Sequence, residues 1–227
     1  MRAVVMGGTS GIGLAIAEKL AGDGAEVVVT GRDEGRLAAA KARGLDAEQV
    51  DGTATEEVAA FLERVGAVEH LVLAFSPGAV GVGPLAELTE QDLTTALTKL
   101  TAYLMVVKHA RVTGSITMIS AASARAGIPG IAGLAAVNGA IERVVSPLAA
   151  ELAPTRVNAV APGVVETAWW SFLPEEQRRA QFAAAAGTLP IGRVGRPEDI
   201  AAAVAYLVTA DYVTGTILSV DGGFTVA

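Results

Sequence analysis

The chain of 227 residues has no cysteine, which excludes disulfides, thiolate zinc sites and a catalytic thiol. Hydrophobic residues make up 52% and charged residues 18%, a balance that suits parallel strands covered by helices on both faces of one α/β domain. The formal charge of -7 argues against nucleic acid as a partner, because phosphate binding needs a basic face.

The first expected strand covers residues 3–6, and the run Gly7-Gly8-Thr9-Ser10-Gly11-Ile12-Gly13 leads from it into a helix at 12–21. Glycine clusters also mark ordinary turns. Between a strand and a helix, though, such a run permits a tight turn and brings backbone amides and the helix N-terminus to a pyrophosphate. Gly7, Thr9, Ser10, Gly11, Ile12 and Gly13 are therefore candidate cofactor-binding residues. A second strand at 26–30 runs into Gly31-Arg32. At this distance from the glycine turn, about 20 residues, an NAD site wants a carboxylate on the ribose hydroxyls. Arg32 offers instead a guanidinium that pairs with a 2′-phosphate, with no acid to repel it, so NADP(H) is the expected cofactor. The competing reading is a solvated arginine at a helix start.

Helices at 34–42, 56–65, 91–110, 135–150 and 198–207 alternate with strands at 47–50, 70–74, 115–119, 156–160 and 217–220. Thr89 with Asp92 three residues on resembles a helix N-cap, and Pro197 suits a first helical turn. The apolar stretches at 71–84 and 126–141 are broken by Pro, Gly, Ser or Asn and fall short of a membrane span of about 20 residues. With a strand directly at the N-terminus, a cytoplasmic protein without a membrane partner is expected. His70 and His109 lack a surrounding His, Asp or Glu constellation, so both are expected at the surface and no metal site is expected. Residues 163–196 are the one long stretch between regular elements, with a substrate lid at about 164–196. In it, Trp169, Trp170 and Phe172 either wall a pocket for an apolar small molecule or pack against another subunit. The alternation as a whole gives a single domain over 1–227. It is a doubly wound, Rossmann-type parallel sheet of about seven strands in three αβα layers.

Several of these motifs together resemble the short-chain dehydrogenase/reductase family, and the likeness runs from end to end. The glycine run is similar to that family's Thr-Gly-x-x-x-Gly-x-Gly, with Met6 in place of the leading Thr. Asp51 resembles its adenine-contacting Asp. Asn158, Pro162, Gly163 and Thr167 resemble the segment that lines the nicotinamide side, and Val220-Asp221-Gly222-Gly223 resembles its C-terminal turn. The resemblance implies a homotetramer or homodimer, for which the Ala- and Gly-rich residues 132–140 would allow close helix contact.

The departures from the family pattern cluster at the catalytic centre. Aligned on it, Leu134 stands where the family has its Tyr and Asn138 where it has its Lys. Ala121 falls on the catalytic Ser, with Ser120 and Ser123 adjacent, and Lys99 falls on the active-site Asn. Leu73-Ala74-Phe75-Ser76 replaces Asn-Asn-Ala-Gly. Reduction of a ketone makes an alkoxide that needs a proton donor, and leucine has none to give. Lys99 and Asn138 either exchange the family's amide and ammonium across one pocket or fall there by coincidence. Tyr103, one turn beyond Lys99, is either a substitute hydroxyl or helix packing. The candidate catalytic residues are thus Lys99, Asn138, Ser120 and Ser123. Three functions stay open. One is an NADP(H)-dependent oxidoreductase with a non-standard site for an iminium-like or pre-activated acceptor. Another is a non-redox isomerase, cyclase or lyase on the same scaffold. The third is an inert nucleotide-binding or scaffold protein.

Overall fold

The computed structural model describes residues 1–226. Seven parallel strands form one sheet in the order β3-β2-β1-β4-β5-β6-β7, spanning Asp46–Gln49, Glu26–Gly31, Arg2–Met6, Ala67–Leu73, Arg111–Ile119, Arg156–Pro162 and Ile217–Val220. The central strands are continuous apolar runs because both of their faces are covered. On one face Ile16 and Leu20 of α1 (Gly11–Gly22), Leu37 of α2 (Glu34–Ala42) and Ile200, Val204 and Leu207 of α7 (Pro197–Thr209) share a core. On the other, Phe61 of α3 (Thr55–Val65), Tyr103 and Val106 of α4 (Glu90–His109) and Ile141 of α5 (Ala132–Glu151) form the second. Among the described residues no helix is long and apolar enough to cross a membrane.

Register brings the ends of the strands level, with Met6 beside both Thr30 and Leu73, and Met118 beside Leu73. The winding reverses between β1 and β4. In sheets of this kind, a crevice opens beyond the carboxyl ends of the strands at such a point.

The expected N-cap at Thr89 is present as a capping box with Asp92, and Pro197 occupies the first turn of α7. Three expectations need correction. Residues 163–196 are not free of regular structure: they hold a short 3-10 turn, Ala168–Phe172, and a further helix, α6 (Glu175–Thr188). No residue of α6 is buried, so it lacks the apolar stripe that marks a helix in sequence. Its Ala, Glu, Gln and Arg content makes it helical by propensity. His70 is not at the surface. Only 8% exposed, it lies within β4 and shares a 2.8 Å hydrogen bond between Nδ1 and Ser115 Oγ on β5. Asn158 does not line the crevice either. It is fully buried, donating to the Val213 carbonyl at 2.9 Å and accepting from the Thr216 amide at 3.1 Å, so it ties β6 to the segment that leads into β7.

Candidate functional site

The crevice is a cleft of about 1160 Å³ that runs from the glycine turn to the aromatic residues after β6. That volume exceeds the range of about 300–1,000 Å³ usual for a single drug-sized ligand.

At one end the backbone sets the shape. The amides of Gly7 and Gly8 both donate to the Thr30 carbonyl at 3.1 Å, locking the turn onto the end of β2. Gly7 has φ 81°, and an added Cβ would stand 2.8 Å from the Phe75 backbone nitrogen. A Cβ on Gly13 would come within 2.1 Å of the Gly7 carbonyl oxygen, so only glycine lets α1 begin this close to the turn. Ser10 caps α1 in an extended conformation without a side-chain bond to the helix, which leaves the first amides available to an anion. Thr9 and Ile12 line the same end.

Arg32 and Arg36 flank this turn. Arg32 Nη1 lies 3.8 Å from Asp51 Oδ2, and Arg36 Nη1 donates to Ser10 Oγ at 3.4 Å. Sequence reasoning does not single out Arg36, which lies in the first turn of α2, four residues beyond Arg32. Asp51 accepts from the Thr53 amide and hydroxyl at 2.9 and 2.7 Å. Burial opposes its ionisation, but the Thr53 bonds and Arg32 outweigh burial and hold the carboxyl below its usual value. On the opposite wall, Pro162, Gly163 and Thr167 line the cleft. Thr167 comes so near the glycine turn that a Cβ on Gly11 would touch its Cβ at 3.4 Å. These residues fit a dinucleotide: a glycine cradle that side chains would fill, open helix amides, and two guanidinium groups beside them.

The other end is built from side chains. Lys99 of α4, 7% exposed, donates from Nζ to Asn138 Oδ1 of α5 at 3.0 Å. Asn138 Nδ2 donates in turn to Ser123 Oγ at 3.1 Å and to the Leu134 carbonyl at 3.0 Å. Burial alone lowers Lys99 from 10.5 to about 7, with no charged side chain contributing. Its neighbours are the neutral Asn138 and the Tyr103 ring, whose centroid lies 5.5 Å from Nζ. The two helices thus bring Lys99 and Asn138 into direct contact, and Leu134 lines the cleft one turn before Asn138.

Two other hydroxyls are engaged elsewhere. Ser120 Oγ lies 3.1 Å from Glu142 Oε1 and 3.3 Å from the Val160 carbonyl, and Glu142 is paired with Arg125. Tyr103 Oη lies 2.7, 3.1 and 3.3 Å from the carbonyls of Leu73, Phe75 and Ile119, and burial raises its ionisation well above the ordinary value. It pins the ends of β4 and β5 to α4. Trp169, Trp170 and Phe172 line this end, with Phe172 46% exposed. Trp170 Nε1 donates to the Val165 carbonyl at 3.0 Å, and its ring meets Trp169 edge-on at 4.9 Å and Phe182 of α6 at 5.7 Å. Among the described residues no group of three His, Asp or Glu side chains could hold a metal.

Residues 7–225 match the family described as "Enoyl-(Acyl carrier protein) reductase". A curated relative, the short-chain dehydrogenase/reductase ATR9 of Stachybotrys chlorohalonatus, is 32% identical over 97% of this chain and 95% of its own length. Among solved structures, a single-residue variant of actinorhodin polyketide ketoreductase with NADPH is 31% identical, with a TM-score of 0.88 over 100% of this chain and 97% of that one. The MalC reductase/Diels-Alderase of Malbranchea aurantiaca reaches a TM-score of 0.90 at 26% identity, over 99% and 95% of the two chains.

Proposed function

The chain belongs to the short-chain dehydrogenase/reductase family, and we propose that it is an NADP(H)-dependent oxidoreductase acting on an iminium-like or otherwise pre-activated acceptor. The observation that carries this reading is the contact between Lys99 and Asn138 beside Leu134, in a cleft whose glycine turn is intact. The turn and the α1 amides would hold the pyrophosphate, Asp51 the adenosine, and Arg32 with Arg36 the 2′-phosphate. When bound, NADPH supplies hydride.

Leu134 has no proton to give, so the site suits an acceptor that asks for none. A ketone becomes a strongly basic alkoxide on reduction, whereas an iminium becomes a neutral amine. Below about pH 7, where it is an ammonium, Lys99 stabilises negative charge, Asn138 orients the acceptor, and Trp169, Trp170 and Phe172 wall the acceptor end. The test is a titration with NADPH and NADH, followed by NADPH consumption with cyclic imines, conjugated carbonyls and simple ketones. Faster turnover of the activated acceptors supports the reading. Efficient ketone reduction that survives Lys99→Ala overturns it.

A non-redox reaction on the same scaffold is the second reading, favoured by the missing Tyr and by the likeness to a protein described as both reductase and Diels-Alderase. Substrate conversion without NADPH oxidation would select it. We also propose a homotetramer or homodimer, assembled through α4 and α5, and a monomer in light scattering at micromolar concentration would refute this.

A further inference from the structure

The acceptor end of the cleft contains a directed chain of hydrogen bonds. An ammonium only donates, so the atom of Asn138 facing Lys99 is its oxygen. The Leu134 carbonyl only accepts, so the atom facing it is the amide nitrogen. Fixed at both ends, the amide donates to Ser123 Oγ and leaves the Ser123 hydrogen with no acceptor among the described residues. Ser123 is half-buried and lines the cleft, in contrast to Ser120 and Tyr103, whose hydroxyls are spent on Glu142 and on backbone carbonyls. Each bond points the same way, from Lys99 through Asn138 to Ser123 and out. In such a chain the bonds polarise one another, and a positive charge at the origin makes the last hydroxyl a stronger donor.

From this geometry we infer that Ser123 is the substrate-contacting donor of the site, and that its donor strength, set by Lys99 through Asn138, selects an acceptor carrying a delocalised oxyanion over a cationic one. This rests on the oxidoreductase reading and chooses between the two kinds of acceptor it names: a pre-activated, conjugated carbonyl, whose oxygen gathers negative charge, is favoured over an iminium. A buried ammonium 3.0 Å from Asn138 disfavours a second cation in the same apolar space. An enolate or phenolate oxygen is the complementary partner.

The probe is 4-nitrophenol, whose phenol and phenolate absorb at different wavelengths, titrated into the purified protein across neutral pH. Binding should lower the midpoint of its ionisation by about one unit, a preference for phenolate of about tenfold. Ser123→Ala and Lys99→Met should each abolish most of that shift, and Ser123→Thr, which keeps a hydroxyl, should restore it. The planar cation 1-methylquinolinium should bind more weakly than the phenolate. No uptake of phenolate by the parent protein, an unchanged midpoint in Ser123→Ala, or tighter binding of the cation would overturn the assignment. Circular dichroism of each variant separates loss of fold from loss of the donor. NADPH binding is followed in parallel by its fluorescence. If NADPH fails to bind while the phenolate shift persists, the oxidoreductase reading falls and the role of Ser123 stands. NADPH binding without the shift gives the converse.

Discussion

The two ends of the cleft are made in different ways. At the glycine turn, shape comes from backbone: Gly7 and Gly13 occupy places where any Cβ would collide, and the polar groups are main-chain amides with exposed arginines around them. At the acceptor end, shape comes from side chains: Lys99, Asn138 and Ser123 touch across α4, α5 and the turn after β5. A backbone site tolerates change in its surrounding residues but not in its glycines. A side-chain site can be rebuilt by exchanging a few residues while the fold stays as it is. That contrast would let a chain of this fold keep its glycine turn while the side chains of its acceptor pocket are exchanged.

The comparison breaks most sharply at Gly13. Gly13→Ala puts a Cβ 2.1 Å from the Gly7 oxygen, so the turn must open. Strain of about 3 kcal/mol corresponds to a loss of about 100-fold in NADPH affinity. Fluorescence titration measures it, and unchanged affinity would show that the turn does not hold the cofactor. Arg32→Ala should weaken NADPH by about tenfold and leave NADH nearly unchanged, because only the former carries a 2′-phosphate. Arg36→Ala should do the same, since its guanidinium stands beside Ser10 on the same rim. Equal losses for both nucleotides would place these arginines elsewhere in binding.

How much of each end could be read in the sequence follows from the same difference. The glycine turn and the Thr89 cap are local, so residue order alone reveals them. Lys99 and Asn138 lie 39 positions apart, and their contact exists only once α4 and α5 pack side by side. Family likeness could align them, while periodicity could not. His70 reads as exposed in sequence because its partner, Ser115, sits on a strand 45 residues away. Helix α6 carries no buried face for a pattern to disclose. Arg36 stands in plain view in the sequence, and only the fold shows that the N-terminus of α2 abuts Ser10.

The buried ammonium sharpens the comparison through pH. The folded protein releases the Lys99 proton at about 7, against 10.5 for the ordinary group. Between those values the unfolded chain holds a proton that the folded chain has lost, so this group makes stability rise with pH. Its cost is full below about pH 7 and fades toward 10.5. Lys99→Met removes that dependence while leaving Asn138 Oδ1 without its donor, so the informative quantity is the slope rather than the absolute stability. Relative to the parent, the variant should lose an advantage on the order of a few kcal/mol between about pH 6 and about pH 10. Denaturant unfolding at several pH values measures it, and parallel profiles for the two proteins would mean that Lys99 is solvated.

Tyr103 gives the smallest expected effect, and it separates a structural hydroxyl from a catalytic one. Its oxygen lies within hydrogen-bonding distance of three carbonyls at the ends of β4 and β5, and its ring packs edge-on against Phe75 at 4.9 Å. A hydroxyl has a single hydrogen, so one carbonyl takes it and the others accept only a share. Tyr103→Phe keeps the ring and removes that bond, which should cost about 1 kcal/mol of stability. NADPH affinity should hold, because the glycine turn is bonded to Thr30 rather than to Tyr103. Turnover of any acceptor the parent reduces should fall by no more than about twofold, well short of the 10²–10⁴-fold typical when a general acid is removed. A loss of that larger size, with the melting temperature and NADPH affinity intact, would make Tyr103 the proton donor and return the acceptor end to the chemistry of a ketone reductase.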